Sequence, residues 1–474
     1  MEKIIGRKEE IKILQSVLDS NKSEFVAVYG RRRVGKTFLI RSVLADTITF
    51  QVTGMGNVNL AQQLTNFHVA LQKLQPDNQI TQVDNWLMAF QQLISYLESH
   101  PTKKKVLFID ELPWFDTKGS GFIQALEHFW NSWASARDDI KLITCGSAAS
   151  WMVNKLINNK GGLHNRITKR IRVVPFMLSE CEQFIQNNDS VLDRYQIIQL
   201  YMVLGGIPFY WNEVLASESA IQNINRICFT ENGVLRKEFS NLFSSLFYNP
   251  EKHLIIVNSL ATKAKGLTRE DILTITKLPN AGSSTKILEE LEESGFIRKY
   301  IPFGKKSKNS LYQLVDFYTL FYLKFIENTS VLDKDFWLNA IDNPQHRAWS
   351  GYAFEQVCLY HLQQIKQGLG ISGIQTHTSS WRSSDSVNGS QVDLVIDRRD
   401  QVVNLCEMKY SINPFIIDKK YAEELRNKIG TFKYETKTRK SIFLTLITTF
   451  GVQQNSHSAG LVQNSLTMDI LFNE

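Results

Sequence analysis

Cysteine is scarce in this chain and widely spaced. The five residues, Cys145, Cys181, Cys228, Cys358 and Cys406, form no C-x-x-C pair, so neither a zinc site nor a disulfide framework is expected. Long apolar runs are missing too. No stretch of about 18 apolar residues, the length that crosses a bilayer, occurs, and the opening MEKIIGRKEE lacks the apolar core of a signal peptide. These absences predict a cytoplasmic chain with no membrane partner. Proline and glycine are few, 10 and 25 in 474 residues, which excludes collagenous and low-complexity classes.

The remainder is ordinary for a globular protein, 43% hydrophobic and 21% charged. At roughly 150 residues per domain, the length predicts about three cores. The formal net charge is +7, with basic runs KKK at 103–105, GKKSK at 304–308 and KYETKTRK at 433–440. Such runs either favour a polyanionic partner or form solvated basic surface.

The clearest chemical pattern is FVAVYGRRRVGKTFLIRSVL at 25–44, an apolar strand running into Gly30-x4-Gly35-Lys36-Thr37 and then a helical periodicity. In that strand, loop and helix context the spacing is that of a phosphate-binding loop. The two glycines let the backbone wrap closely, and successive N–H groups with the helix N-terminus receive the anion. Lys36 is expected to reach the β- and γ-phosphates of a nucleoside triphosphate, and the Thr37 hydroxyl to ligand Mg2+. Arg33 in the loop and Phe38 in the first helical turn are counted among the nucleotide contacts.

A second strand, in KKVLFIDELPWF at 104–115, ends in Asp110-Glu111. Asp110 is expected to hold the metal, directly or through a water, and Glu111 to polarise the attacking water. That placement points to hydrolysis rather than to a kinase, for which no acceptor-binding segment is evident. A third apolar strand, in IKLITCGSAASWM at 140–152, ends at Ser147. The Ser147 hydroxyl either senses the γ-phosphate between the other two strand ends or caps the helix that follows. Residues 46–100 read as an inserted helical region without chemical signature.

In the C-terminal third, QVDLVIDRRDQVVNLCEMKYS at 391–411 reads as two short strands around a charged turn. Asp393 interrupts the first, while Glu407 and Lys409 lie two apart in the second and so share one face. Divalent-metal hydrolysis of phosphodiesters requires carboxylates converging on Mg2+ and a cation near the nucleophile. Asp393 and Glu407 suit the metal-ligand roles and Lys409 the cationic one. Glu355, in the helical pattern RAWSGYAFEQVCLYHLQQI at 347–365, could lean over the strand ends as a further metal or water ligand. The structural alternative is a salt bridge from Lys409 to Glu407 or Asp393. His361 and His377 read as ordinary polar residues.

Between these regions, 267–315 carries a helix after the Thr268 cap, a turn at LPNAGSS, the helix TKILEELEESGF, and two β-like stretches around GKKSKN. Helix, turn, helix and hairpin make a winged helix. Its second helix bears Glu289, Glu290, Glu292 and Glu293, which repel phosphate and make it a poor reader of DNA sequence. Lysines 305, 306 and 308 could touch phosphates, but packing between domains is the favoured role.

Residues 1–325 resemble the archaeal/bacterial-type P-loop ATPases of the AAA+/STAND group through IIGRKEEIKILQSVL, YGRRRVGKTFLI, LFIDELPWF, CGSAASWM, RITKRIRVVPFML and LGGIPFYW. The resemblance implies ATP hydrolysis by a core followed by a small helical lid, and a winged helix in the middle segment. It also singles out Arg166 as an arginine finger for its own or a neighbouring subunit's nucleotide, in a possible homo-oligomer. Here Asn165 precedes Arg166 where the family usually has glycine. Residues 345–470, with Glu355, Asp393 and Glu407-x-Lys409, resemble the PD-(D/E)xK nuclease superfamily, whose domains often end such ATPases.

The expected fold class is therefore α/β: a P-loop ATPase parallel sheet at 1–178, a helical lid at 179–250, a winged-helix domain at 251–330 and an α/β/α restriction-endonuclease-like domain at 340–474. The expected function is an ATPase whose nucleotide state controls a Mg2+-dependent, DNA-acting nuclease-like domain. The alternative is a STAND-type assembly switch whose C-terminal domain binds nucleic acid or protein without cutting.

Overall fold

Short apolar and β-branched runs pair into a five-stranded parallel sheet in the computed structural model of the chain, which describes residues 4–188, 190–247, 249–330, 333–340, 343–384 and 389–474. The strands are β1 (Glu24–Tyr29), β2 (Ile48–Thr53), β3 (Lys105–Asp110), β4 (Ile140–Gly146) and β5 (Lys169–Arg172). Their order is β2-β3-β4-β1-β5, and every ladder is parallel. β3 and β4 are buried along their whole length, as continuous apolar runs must be in a parallel sheet covered on both faces. Because β4 lies between β1 and β3, the C-terminal ends of these three strands meet.

The flanking helices are α1 (Lys8–Asp19), α2 (Lys36–Leu44), α3 (Leu60–Gln72), α4 (Trp86–Ser99) and α5 (Phe122–Ser132). Aromatic contacts lock α4 to α5, with Phe90 and Phe129 stacked at 5.1 Å and Trp86 edge-on to Phe122 at 5.0 Å. Residues 46–100 are not an insertion. ITFQVT at 48–53 is strand β2, paired with β3, and α3 and α4 bury Leu64, Phe67, Phe90 and Leu93 in the same core as the sheet. Of the KKK run only Lys103 is exposed: Lys105 is buried with Nζ 2.8 Å from Asp139 Oδ2, and Lys104 Nζ donates to Leu18 O at 2.5 Å.

The chain divides into two compact units, Met1–Pro175 and Phe176–Glu474. The second unit is the larger of the two. That unit opens with helices at Leu178–Asn187, Arg194–Leu204 and Ala220–Phe229. A smaller module follows: helix Glu251–Ala261, β6 (Leu267–Thr268), helices Arg269–Thr276 and Gly282–Glu293, β7 (Ile297–Tyr300) and β8 (Leu311–Leu314). Its sheet is antiparallel in the order β6-β8-β7. Thr268 caps the second of these helices through a reciprocal exchange with Asp271.

The unit ends in a mixed sheet of β9 (Thr376–Arg382), β10 (Gln391–Arg398), β11 (Val402–Lys409), β12 (Ser441–Thr448) and β13 (Asn464–Thr467). The order is β13-β12-β11-β10-β9, with β9 to β11 antiparallel and β11 to β13 parallel. Helix Lys419–Thr436 covers the face carrying Val395, Val403 and Leu405 through Phe432. Helix Pro344–Tyr360 packs along β11, with Phe354 against Tyr410 at 5.7 Å.

His361 is no ordinary polar residue. It is fully buried after helix Pro344–Tyr360, its Nδ1 donates to Val357 O at 2.8 Å, and its Nε2 accepts from Leu178 N at 3.0 Å. Burial holds its pKa at about 4, below the ordinary 6.5. A depressed folded-state value means that the contribution to stability is complete above pH 6.5 and is lost as pH falls toward 4. The loss amounts to about 1.4 kcal/mol per pH unit. Tm is therefore expected to fall between pH 7 and pH 5. His361→Gln should melt lower at pH 7 and show a flatter slope, and an unchanged slope in the variant would place the titrating group elsewhere.

Candidate functional site

β1 ends at Tyr29 and α2 begins at Lys36, so the loop between them is residues 30–35. Gly30 has φ +149°, and a Cβ there would lie 2.1 Å from Val173 O. Only glycine admits that backbone approach. Gly35 has φ +88° with nothing within 4 Å of a Cβ position, so conformation rather than crowding selects it. Arg33, half-buried, also adopts a left-handed backbone with φ 70°. The loop delivers the chain to the positive end of α2, where an anion is stabilised.

Lys36 is buried, and its Nζ donates to Gly30 O at 3.1 Å, Arg31 O at 2.9 Å and Ser147 Oγ at 3.0 Å. Burial lowers its pKa, opposed by nearby acidic groups that include Glu111 and Asp110. Its hydrogen-bond partners are neutral oxygens, so the ammonium keeps a positive charge suited to phosphate.

At the end of β3, the buried Asp110 accepts from Thr37 Oγ1 at 3.0 and 3.2 Å and from Glu111 N at 3.0 Å. Burial and then the neighbouring Glu111 raise its pKa above the usual carboxylate range. Glu111 stands in a left-handed conformation, φ 48°, that turns its carboxylate back over the sheet end. There Glu111 Oε1 accepts from Ser147 Oγ at 2.7 Å and Oε2 from Ser147 N at 3.1 Å. Ser147 thus links Lys36 to Glu111, and it makes no side-chain cap for the short helix Ala149–Trp151.

Two residues in this neighbourhood escape sequence reasoning. Arg7, buried, donates to Val34 O of the loop at 3.3 Å, and Cys145, fully buried on β4, has its thiol pKa pushed up by burial beside Lys36 and Asp110. Only position could have flagged them, Arg7 before the first helix and Cys145 two residues before Ser147. Two expected residues stand apart from the network. Phe38 is 43% exposed on α2, and Arg166 is exposed in the loop before β5.

In the second unit, the β10–β11 ladder runs to Leu394↔Cys406, so Asp393 and Glu407 are the next facing pair. Asp393 shares a cation with Glu355: Lys265 Nζ is 2.5 Å from Asp393 Oδ1 and 3.1 Å from Glu355 Oε2. Burial and then Asp393 push Glu355 up to about 7. For Asp393 the burial effect is outweighed by Lys265, and its carboxyl stays below the usual range. Glu407, buried, is held by Lys428 Nζ at 2.6 Å and by Tyr421 OH at 3.4 Å, and Lys409 Nζ lies 5.0 Å from the Tyr421 ring centre. The expected four residues therefore divide. Glu355 and Asp393 converge, whereas Glu407 and Lys409 turn to helix Lys419–Thr436.

Neither salt bridge expected for Lys409 forms; the cations are Lys265 and Lys428, which sequence spacing does not reveal. Among the described residues no group of three or more His, Cys, Asp or Glu side chains converges as a metal site.

Residues 4–214 match the model of an ATPase domain predominantly from Archaea. An uncharacterized protein of Methanocaldococcus jannaschii is 25% identical over 374 residues, 77% of this chain and 78% of its own. An uncharacterized ATP-binding protein of the same organism is 48% identical over 42 residues, 9% of this chain and 71% of that protein. Among solved structures, the Walker-type ATPase of Pyrococcus abyssi is similar in fold, with a TM-score of 0.52 and 17% identity over 68% of this chain and 96% of its own. No helix among the described residues is long and apolar enough to cross a membrane. With the phosphate loop, the acidic strand end and the parallel sheet already in place, residues 4–214 make up an ATPase domain of the archaeal type.

Proposed function

We propose that this ATPase uses its nucleotide state to control a nuclease-like C-terminal domain that acts on DNA. In the ATPase half, Lys36 binds the β- and γ-phosphates, while Gly30, Arg33, Gly35, Thr37 and Phe38 frame the nucleotide. Ser147 holds Glu111 and Lys36 in one network, which supports the reading that Glu111 polarises the attacking water. The donor set of Thr37 hydroxyl and Asp110 carboxylate, hard oxygens 3.0 Å apart, fits Mg2+. Bound there, the ion would neutralise phosphate charge. The exposure of Arg166 is compatible with action on a neighbouring subunit's nucleotide in a homo-oligomer.

In the C-terminal half, the observation that carries the reading is Glu355 and Asp393 on one cation at the open end of β10 and β11, with Glu407 next in register. A mixed sheet flanked by helices Pro344–Tyr360 and Lys419–Thr436 fits the nuclease-like fold, and the small module before it fits a winged helix. Lysines 305, 306 and 308 are exposed on its β7–β8 loop, where they can meet DNA phosphates. The second reading, a switch that binds without cutting, is favoured by one contact. Glu407 is already neutralised by Lys428 at 2.6 Å.

Lys36→Ala is expected to abolish ATP binding. Glu111→Gln should bind ATP normally while turnover drops by roughly 10²–10⁴, as read by equilibrium binding and phosphate release; undiminished turnover would remove Glu111 from the chemistry. For the C-terminal half, the test is cleavage of plasmid and single-stranded DNA with Mg2+ or Mn2+, without nucleotide and with ATP or ADP. Cleavage is expected in at least one state and should vanish in Asp393→Ala. Intact DNA in every state would leave the switch reading.

A further inference from the structure

Lys265 lies in the turn between helix Glu251–Ala261 and β6, and its backbone belongs firmly to the small module. Lys265 O accepts from Tyr300 OH at 2.6 Å, and Ala264 O accepts from Gln313 Nε2 at 2.5 Å. Gly266, at φ +85°, packs so that a Cβ would lie 2.3 Å from Tyr312 O. The turn is thus pinned to β7 and β8, yet its side chain reaches out of the module to the carboxylates of β10 and helix Pro344–Tyr360.

A second contact docks the same module on the tail. Phe303 N donates to Ser380 O of β9 at 2.7 Å, and the Phe303 ring meets Phe432 at 5.2 Å.

Two carboxyl groups from separate elements, Glu355 and Asp393, converge on the one ammonium. Gln391 Nε2 also donates to Asp393 Oδ1, at 2.7 Å, but adds no charge. Two hard carboxyl oxygens brought to one point also suit a divalent cation, and the cation that holds them is delivered by the small module.

We propose that Lys265 is a tethered cation occupying the divalent-metal position of the Glu355–Asp393 pair, so that the module carrying it closes the site when docked and opens it when withdrawn. The proposal rests on the nuclease-like reading for the identity of the metal, while the ion pair itself stands independently. Lys265 is partly open to solvent, with 38% of its side chain exposed, and withdrawal of the module breaks its two ion pairs together with the Phe303 contacts to Ser380 and Phe432.

The test is Mn2+ binding to the nucleotide-free full-length protein, followed by the electron paramagnetic resonance of free Mn2+. Lys265→Gln and Lys265→Ala should each bind Mn2+ about tenfold or more tighter than the wild type, a factor of ten being about 1.4 kcal/mol. Lys265→Arg, which keeps the charge, should not. Adding Asp393→Ala to Lys265→Gln should erase the gain. No gain in either neutral variant, or a gain that survives Asp393→Ala, would overturn the proposal. Tighter Mn2+ binding with DNA left intact in every variant would uphold Lys265 and sink the nuclease reading. Asp393-dependent cleavage with unchanged Mn2+ affinity would do the reverse.

Discussion

The ATPase unit depends on keeping the Lys36 ammonium charged while it is buried. A charge taken out of water must find oxygens or lose its proton, and Lys36 finds three: two carbonyls of its own loop and the Ser147 hydroxyl. That requirement fixes much around it. The loop must fold back far enough for Gly30 O and Arg31 O to face the side chain, which forces Gly30 against the Val173 carbonyl. β4 must lie between β1 and β3, because only there can Ser147 touch both Lys36 and Glu111. Position of the Glu111 carboxylate, strand order and loop conformation are consequences of one buried cation.

The second unit meets the same constraint with other means. The carboxylates Asp393 of β10 and Glu407 of β11 are tolerated because each meets an ammonium, Lys265, shared with Glu355, for Asp393 and Lys428 for Glu407. The two cations differ in where they are anchored. Lys428 belongs to the helix that covers the sheet, so its pair with Glu407 lies within the tail. Lys265 belongs to the module of three short strands, so its pair spans two separately built pieces of the unit. An ion pair that crosses such a boundary is made or broken by rigid movement, whereas one inside a layer requires unfolding.

Much of the architecture was legible in the order of residues. The β1 strand, the 30–35 loop and α2 follow from an apolar run, two glycines and a helical repeat; Thr268 announces its helix by the reciprocal cap with Asp271. The β10–β11 hairpin was readable because its apolar alternation survives on either side of the charges, with Gln401 taking the left-handed turn position at φ 68°. β2 was misread, since six residues followed by two helices look like an insertion until their partner strand is known. An edge strand has no signature beyond its own few residues, and what makes it part of the core is the ladder to β3.

Sequence alone determined the phosphate loop, the acidic end of β3 and the carboxylates of the tail, because those signals are local: spacing within a loop, alternation within a strand, periodicity within a helix. It could not determine partners. Lys265 is 128 residues from Asp393, and Glu111 is 36 from Ser147, so no periodicity relates them. Tertiary structure decided which cation neutralises which carboxylate, that Ser147 bridges rather than caps, and that His361 is a buried neutral link rather than a surface group. The physical reason is that the electrostatic state of a side chain depends on burial and on neighbours within a few ångströms, and both are set by folding rather than by position along the chain.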